Sequence, residues 1–354
     1  MILFTPGPIA MDGETIAEAG KQSQYFRTVE FSALMLDCGR MLKEMVNAPE
    51  DAKTVFLTAS GSGAMEAAVI NLFSVKDKLL IINGGSFGKR FTQICALHDI
   101  PFVSIDVAWN EAFNPAKLDP FANAGFTGML VNMCETSTGQ LFPMRIISDF
   151  CARGNICLVV DAISSFLCDP FDMKTLNIGA VIVSSQKGFA LQPGMSFVVI
   201  ANDTFEERCK ANAPKSLYFR FVDYEADMRR GQTPYTPAVG IINQLYEKSL
   251  RLIRSGGAAS NISAIKALAV YFREQLSKKT GFDVPPIPLS NCLTPLICKN
   301  NNAKEIFETL KNQYAIYVTP CAGELAPFLL RVTHMSRQLK NSDIDQLIGI
   351  LAKM

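Results

Sequence analysis

Two neighbouring stretches decide how this chain folds: Ile156-Cys-Leu-Val-Val-Asp-Ala-Ile-Ser-Ser165 and Ala180-Val-Ile-Val-Ser-Ser-Gln-Lys-Gly-Phe189. Each is a short apolar run that ends on a polar group, Asp161 in the first and Lys187 in the second. Continuous apolar runs of this length suit strands buried on both faces, as in a parallel sheet. Further runs of the same kind lie outward from this pair, at Val55–Leu57, Lys78–Ile82, Phe102–Ile105, Gly128–Asn132 and Ser196–Ile200. Amphipathic stretches of helical period separate them: Gly63–Phe73, Phe87–Leu97 and Arg145–Arg153. Strands alternating with helices predict an α/β fold, a mostly parallel sheet with helices on both faces. Ligands of such sheets sit at the carboxyl ends of strands, where Asp161 and Lys187 fall.

From about Pro237 the texture changes. Helical patterns run over Ile241–Arg254 and Asn261–Lys278, on either side of Gly256-Gly257. Strand and helix patterns follow at Leu293–Cys298, Ala303–Asn312, Ala315–Thr319 and Phe328–Val332, and a last helix is expected over Asp343–Lys353. This predicts a smaller C-terminal α+β lobe. The expected division is an N-terminal segment over 1–15, a large domain over 16–240, and linking helices with a small domain over 241–354.

Bulk properties narrow the function classes. The 354 residues are 49% hydrophobic with a formal net charge of +1, enough for a sizeable core and unlike a disordered chain. Charges of both signs are interspersed, without a basic stripe or a zinc-finger pattern, so no nucleic-acid partner is expected. The apolar runs are far too short to cross a bilayer, and the N-terminus lacks a basic region before an apolar core. Ten cysteines are scattered singly, which reads as reduced, buried small hydrophobes and a cytoplasmic setting. With only His98 and His334 present, a His-rich metal site is not expected.

Three motifs carry chemistry. Thr58-Ala-Ser-Gly-Ser-Gly-Ala-Met-Glu66 lies between a strand and a helix. Glycine lets backbone approach an anion, and the helix start offers unpaired N–H groups. The same residues also fit an ordinary serine-capped turn. Asp161 would be costly to bury without a cation or strong donors, and a pyridinium N–H is such a partner. It also fits an N-cap. Lys187 at a buried strand end can have a lowered pKa and act as an amine nucleophile, or can be a solvated turn lysine.

The order of these motifs resembles the fold-type I pyridoxal-phosphate enzymes, and the class V aminotransferase family among them. Other segments extend the resemblance: Phe4-Thr-Pro-Gly-Pro8, Tyr25-Phe-Arg-Thr-Val-Glu-Phe31, Asn83-Gly-Gly-Ser-Phe-Gly-Lys-Arg90, Glu135-Thr-Ser-Thr-Gly139, Gln232-Thr-Pro-Tyr-Thr-Pro237 and Leu330-Arg-Val-Thr-His-Met335. The resemblance implies that Lys187 holds pyridoxal 5'-phosphate as a Schiff base and that Asp161 pairs with its ring nitrogen. It implies that Ser60, Gly61, Ser62 and Gln186 hold the phosphate, and that Thr236 reaches it from the partner of a homodimer. Thr136 is expected near the ring hydroxyl, with Phe87 stacked on one ring face and Ile163 on the other; His98 is the alternative stacking residue. Arg331, with backbone around Gly7, is expected to grip the substrate carboxylate or phosphonate.

The family's transaminases differ mainly in substrate, so the expected donor is alanine, serine or 2-aminoethylphosphonate, with pyruvate or glyoxylate as acceptor. Gln186 stands where the aminoethylphosphonate enzymes tend to carry Asn. Ser336 stands where the family usually has Gly, and Phe26 where it usually has His. A cysteine desulfurase is the nearest alternative, with Cys321 as its possible nucleophile. From another class, Ser184-Ser-Gln-Lys187 and Lys279-Thr-Gly281 fit two motifs of penicillin-binding serine acyl enzymes, although Ser-Asp-Asn is missing.

Overall fold

The computed structural model describes all 354 residues. Seven strands form the central sheet: β1 (Lys53–Leu57), β2 (Leu79–Asn83), β3 (Phe102–Asp106), β4 (Gly128–Asn132), β5 (Cys157–Asp161), β6 (Ala180–Ser184) and β7 (Ser196–Ile200). Their spatial order is β1-β7-β6-β5-β4-β2-β3. The pairs among β2 to β6 are parallel, whereas β7 runs antiparallel to both β6 and β1. The connection from β6 to β7, residues 185–195, is too short for the crossover helix that a parallel partner requires. The expected α/β layer is therefore present, with one reversed strand.

Alternate residues of the strands feed two separate cores. Val181 and Val183 join a cluster on one face, while Ala180 and Ile182 join a cluster on the other. Both faces are covered, which is why these strands read as continuous apolar runs. The covering helices include α2 (Val29–Met45), α3 (Gly61–Leu72), α4 (Ser86–Leu97) and α5 (Met144–Arg153), while α1 (Gly13–Ala19) packs on the later helix over Val239–Arg254. Helix α2 adds to the expected elements. Thr28 caps it by accepting from the Phe31 N–H at 3.2 Å, and Phe31, Met35, Cys38, Leu42 and Met45 form its buried stripe.

Two long helices, α6 (Val239–Arg254) and α7 (Gly257–Lys279), lead to the smaller lobe. Gly256 and Gly257, at φ of 97° and 69°, make the break between them, in backbone that favours glycine. Strands β8 (Leu293–Ile297), β9 (Thr319–Pro320) and β10 (Leu329–Thr333) pair antiparallel in the order β8-β10-β9. Helices α8 (Ala303–Tyr314) and α9 (Asn341–Leu351) pack with them. The single strand expected over Ala315–Thr319 is divided. Ile316–Tyr317 pairs in parallel with Ile2–Leu3, while Thr319–Pro320 turns to β10. The chain's first residues thus belong to the small lobe, where Phe4 is fully buried. No helix is long and apolar enough to cross a membrane.

Candidate active site

The polar strand ends named above converge. Ser60 caps α3 in extended backbone (φ −68°, ψ 165°), its Oγ accepting from the Gly63 N–H at 3.4 Å. Strand β7 steadies this turn, because the Ser196 hydroxyl donates to the Ala59 carbonyl at 3.0 Å. A Cβ on Gly61 would lie 2.6 Å from Ile163 Cδ1, so glycine lets the helix start come this close to the segment after β5 without displacing the Ile163 side chain. Gln186 turns its carbonyl oxygen inward, accepting from the Ser184 hydroxyl at 2.6 Å, which leaves its NH₂ as the free donor.

Asp161 ends β5 directly across from Asn132 at the end of β4. Its carboxylate accepts from the Ile163 N–H at 2.8 Å and from the Asn132 amide. Burial pushes its pKa up to about 6, and these two donors only partly counter that. Asn132 Oδ1 is buried without a partner. The nearby Lys187 amine also draws the pKa down, but burial outweighs it, so the carboxylate is under-compensated.

Lys187 follows β6, and its Nζ donates to the Pro6 carbonyl. Burial lowers the amine to about 8; Arg331 acts in the same direction and Asp161 against it. Pro6 and Gly7 belong to an N-terminal strap that lies over the lysine. A Cβ on Gly7, whose φ is 125°, would stand 2.8–2.9 Å from Cδ, Cε and Nζ of Lys187. The strap is fixed to the small lobe. Thr333 donates its N–H to Phe4 O at 3.0 Å and its hydroxyl to Thr5 O at 2.7 Å. Ser336, at the position where glycine was the expectation, donates its hydroxyl to Ala10 O at 3.0 Å.

Arg331 projects from β10 and donates to the carbonyls of Thr136 (3.3 Å) and Pro320 (3.1 Å), with its Nε buried and unpartnered. The Thr136 hydroxyl donates to Ser164 Oγ at 2.8 Å. Phe87 lies at the start of α4, whose N–H groups at Phe87 and Gly88 donate to the buried Glu135 carboxylate at 3.2 and 3.0 Å. Glu135 and Asn132 are functional neighbours that the motif reading left without a role. Their signal was present only as the polar end of an expected strand and the first letter of Glu135-Thr-Ser-Thr-Gly139. His98 sits at the far end of α4 and bonds Glu66 Oε1 at 2.9 Å, away from Lys187. Of the two stacking candidates, only Phe87 is near the cradle. Thr236 is exposed and makes no hydrogen bond within the chain.

Two alternative chemistries lack their geometry. The Ser184 hydroxyl bonds Gln186 rather than Lys187, and Lys279 closes α7. Cys321 donates its thiol to Ser137 O at 3.0 Å, and burial pushes its pKa up to about 11, the reverse of a poised thiolate. All ten cysteines are free. By contrast, pyridoxal phosphate fits the groups present. Its ring nitrogen would answer the under-compensated Asp161, and its phosphate the N–H groups at the start of α3, where Gly61 leaves room beside Ile163.

Comparison with known proteins agrees with this geometry. The chain matches the family model described as Aminotransferase class-V over residues 14–334. It is 28% identical to an uncharacterized aminotransferase of Helicobacter pylori across 95% of this chain and 89% of that protein. It is 30% identical to a 2-aminoethylphosphonate–pyruvate transaminase of Pseudomonas aeruginosa across 72% and 69%. The crystal structure of alanine–glyoxylate aminotransferase from Nostoc sp. superposes with a TM-score of 0.91 at 22% identity, covering 99% of this chain and 94% of that one. The fold is that of the fold-type I aminotransferases, and the chain belongs to the aminotransferase class-V family.

Proposed function

We propose that this protein is a pyridoxal 5'-phosphate-dependent transaminase that moves an amino group from alanine, serine or 2-aminoethylphosphonate to pyruvate or glyoxylate. The observation that carries this reading is the meeting of a deprotonation-prone Lys187 and an under-compensated Asp161 beside the Ser60–Ser62 cradle. When bound, the cofactor supplies a carbonyl carbon that condenses with amines and a ring that withdraws electrons from the substrate.

The residues divide the work. Ser60, Gly61, Ser62 and Gln186 hold the phosphate at the start of α3, where N–H groups and helix dipole favour an anion. Thr236 reaches the phosphate of the partner subunit in a homodimer, a role its exposure supports. Asp161 keeps the ring nitrogen protonated, Thr136 bonds near the ring hydroxyl, and Phe87 and Ile163 cover the ring faces. Arg331 takes the substrate carboxylate or phosphonate through its planar fork, helped by backbone at Gly7. Lys187, lowered to about 8, would move a proton between the substrate Cα and the carbonyl carbon of the cofactor, in opposite directions in the two half-reactions. The two half-reactions alternate on one site, giving ping-pong kinetics. In this reading residues 16–240 carry the cofactor, 241–354 form the linking helices and small domain, 1–15 bridge them, and the enzyme works in the cytoplasm.

The donor assignment draws on the Pseudomonas relative and on an arginine suited to either anion. Assays of alanine, serine and 2-aminoethylphosphonate with pyruvate and with glyoxylate test it. Turnover of one pair is expected; turnover of none, or sulfide release from cysteine, rejects it.

A further inference from the structure

We infer that Arg90 is the cation that balances the cofactor phosphate, a positioning residue that acts through Ser62. The inference rests on the pyridoxal-phosphate reading above and extends it to a residue outside the roles assigned there.

The cradle itself is neutral: Ser60, Gly61, Ser62, Gln186 and Thr236 carry no charge. A phosphomonoester at neutral pH carries roughly −1.5 to −2, and a helix N-terminus offers only about half a positive charge. The remaining charge needs a cation close by. Arg90 stands at the beginning of the second turn of α4, and its Nη1 donates to Ser62 Oγ at 2.7 Å. Its guanidinium carbon lies 4.9 Å from the centre of the Phe87 ring. One group therefore touches both a phosphate ligand and the ring expected to stack on the cofactor.

The direction of the serine bond matters. Ser62 Oγ accepts from the guanidinium, so its single hydrogen is free to point elsewhere. The charge on Arg90 polarises that hydroxyl as a donor, and an anion at the α3 start is the acceptor it faces. Arg90 has no carboxylate partner. Other half-buried arginines do, as in Arg208 with Asp77 and Arg251 with Asp12, while the nearby Glu66 is engaged with His98. Ser62 is also the only protein acceptor that Arg90 meets, leaving most of its five N–H donors uncommitted. The Glu135 cap on α4 holds Arg90 and Phe87 in register with the cradle.

The test compares pyridoxal phosphate with pyridoxal, which lacks the phosphate. Apoprotein of the wild type, Arg90→Gln and Arg90→Lys is titrated with each and followed by visible absorbance, with circular dichroism as the check on folding. Loss of a charge-assisted contact predicts that Arg90→Gln binds pyridoxal phosphate on the order of ten- to a hundredfold more weakly. Its affinity for pyridoxal stays unchanged, and Arg90→Lys recovers part of the loss. The ³¹P resonance of bound cofactor also titrates at higher pH in Arg90→Gln than in the wild type. Should Arg90→Gln not fold, the same phosphate-selective loss is read from Arg90→Lys. Equal weakening of both ligands, or no change in either, overturns the inference and leaves Arg90 a packing residue. A wild type that binds neither ligand overturns the cofactor reading itself.

Discussion

Lys187 and Asp161 are shifted by the same cause in opposite chemical senses. Burial disfavours charge on both, so the amine becomes a better base and the carboxyl a poorer acid. For Asp161 this has a stability consequence. Its folded pKa of about 6 lies above its usual 3.8, so its contribution is fully present below the usual value and is lost as pH rises through the folded one. Cofactor-free Asp161→Asn is therefore expected to be more stable than the wild type at pH 7, by up to about 3 kcal/mol. The gain shrinks to nothing near pH 4, and thermal melts at the two pH values check it. The same variant binds pyridoxal phosphate more weakly, as befits a group kept for function at a cost in stability. Both residues were legible because each ends an apolar run. Glu135, Asn132 and Arg90 were not, since their roles depend on neighbours far away in sequence: Glu135 caps a helix from another segment, and Arg90 reaches a serine on a different helix.

At the scale of elements, the N-terminal strap links the small lobe to the lysine. Its anchors are the hydroxyls of Thr333 and Ser336, each worth about 1 kcal/mol net. Removing both in Thr333→Val with Ser336→Ala is expected to raise the KM for the amino donor on the order of tenfold, by the sum of two such bonds. Cofactor affinity should hold. Faster amide exchange over residues 4–10 should accompany the change, and unchanged exchange there counts against the strap. Period and length sufficed for β4 to β7, because those strands are buried on both faces. They failed for Ala315–Thr319, whose first half pairs with Ile2–Leu3 from the opposite end of the chain. Such a pairing leaves no local mark in composition.

In the whole molecule the large sheet and the small sheet meet over a polar site, and the contact between their surroundings has a built-in reporter. The chain's one tryptophan, Trp109, sits in the loop after β3 and packs against Phe328 of the small lobe at 5.3 Å between ring centres. Phe328→Ala is expected to shift Trp109 emission to longer wavelength as the ring gains solvent, while leaving cofactor absorbance intact; an unchanged spectrum counts against the contact. The layered fold was thus readable from the order of apolar runs and the family from the resemblance of the motifs between them, whereas the contact of Trp109 with Phe328 was not. Everything proposed for this site depends on Lys187 as the cofactor's covalent anchor. Its most direct test is borohydride reduction of the protein with pyridoxal phosphate, followed by peptide mapping of the wild type and of Lys187→Ala. A visible absorption band is expected in the wild type, with a pyridoxyl group fixed on the peptide containing Lys187, and neither in the variant. Label on another lysine, or a protein that remains colourless with the cofactor, would contradict it.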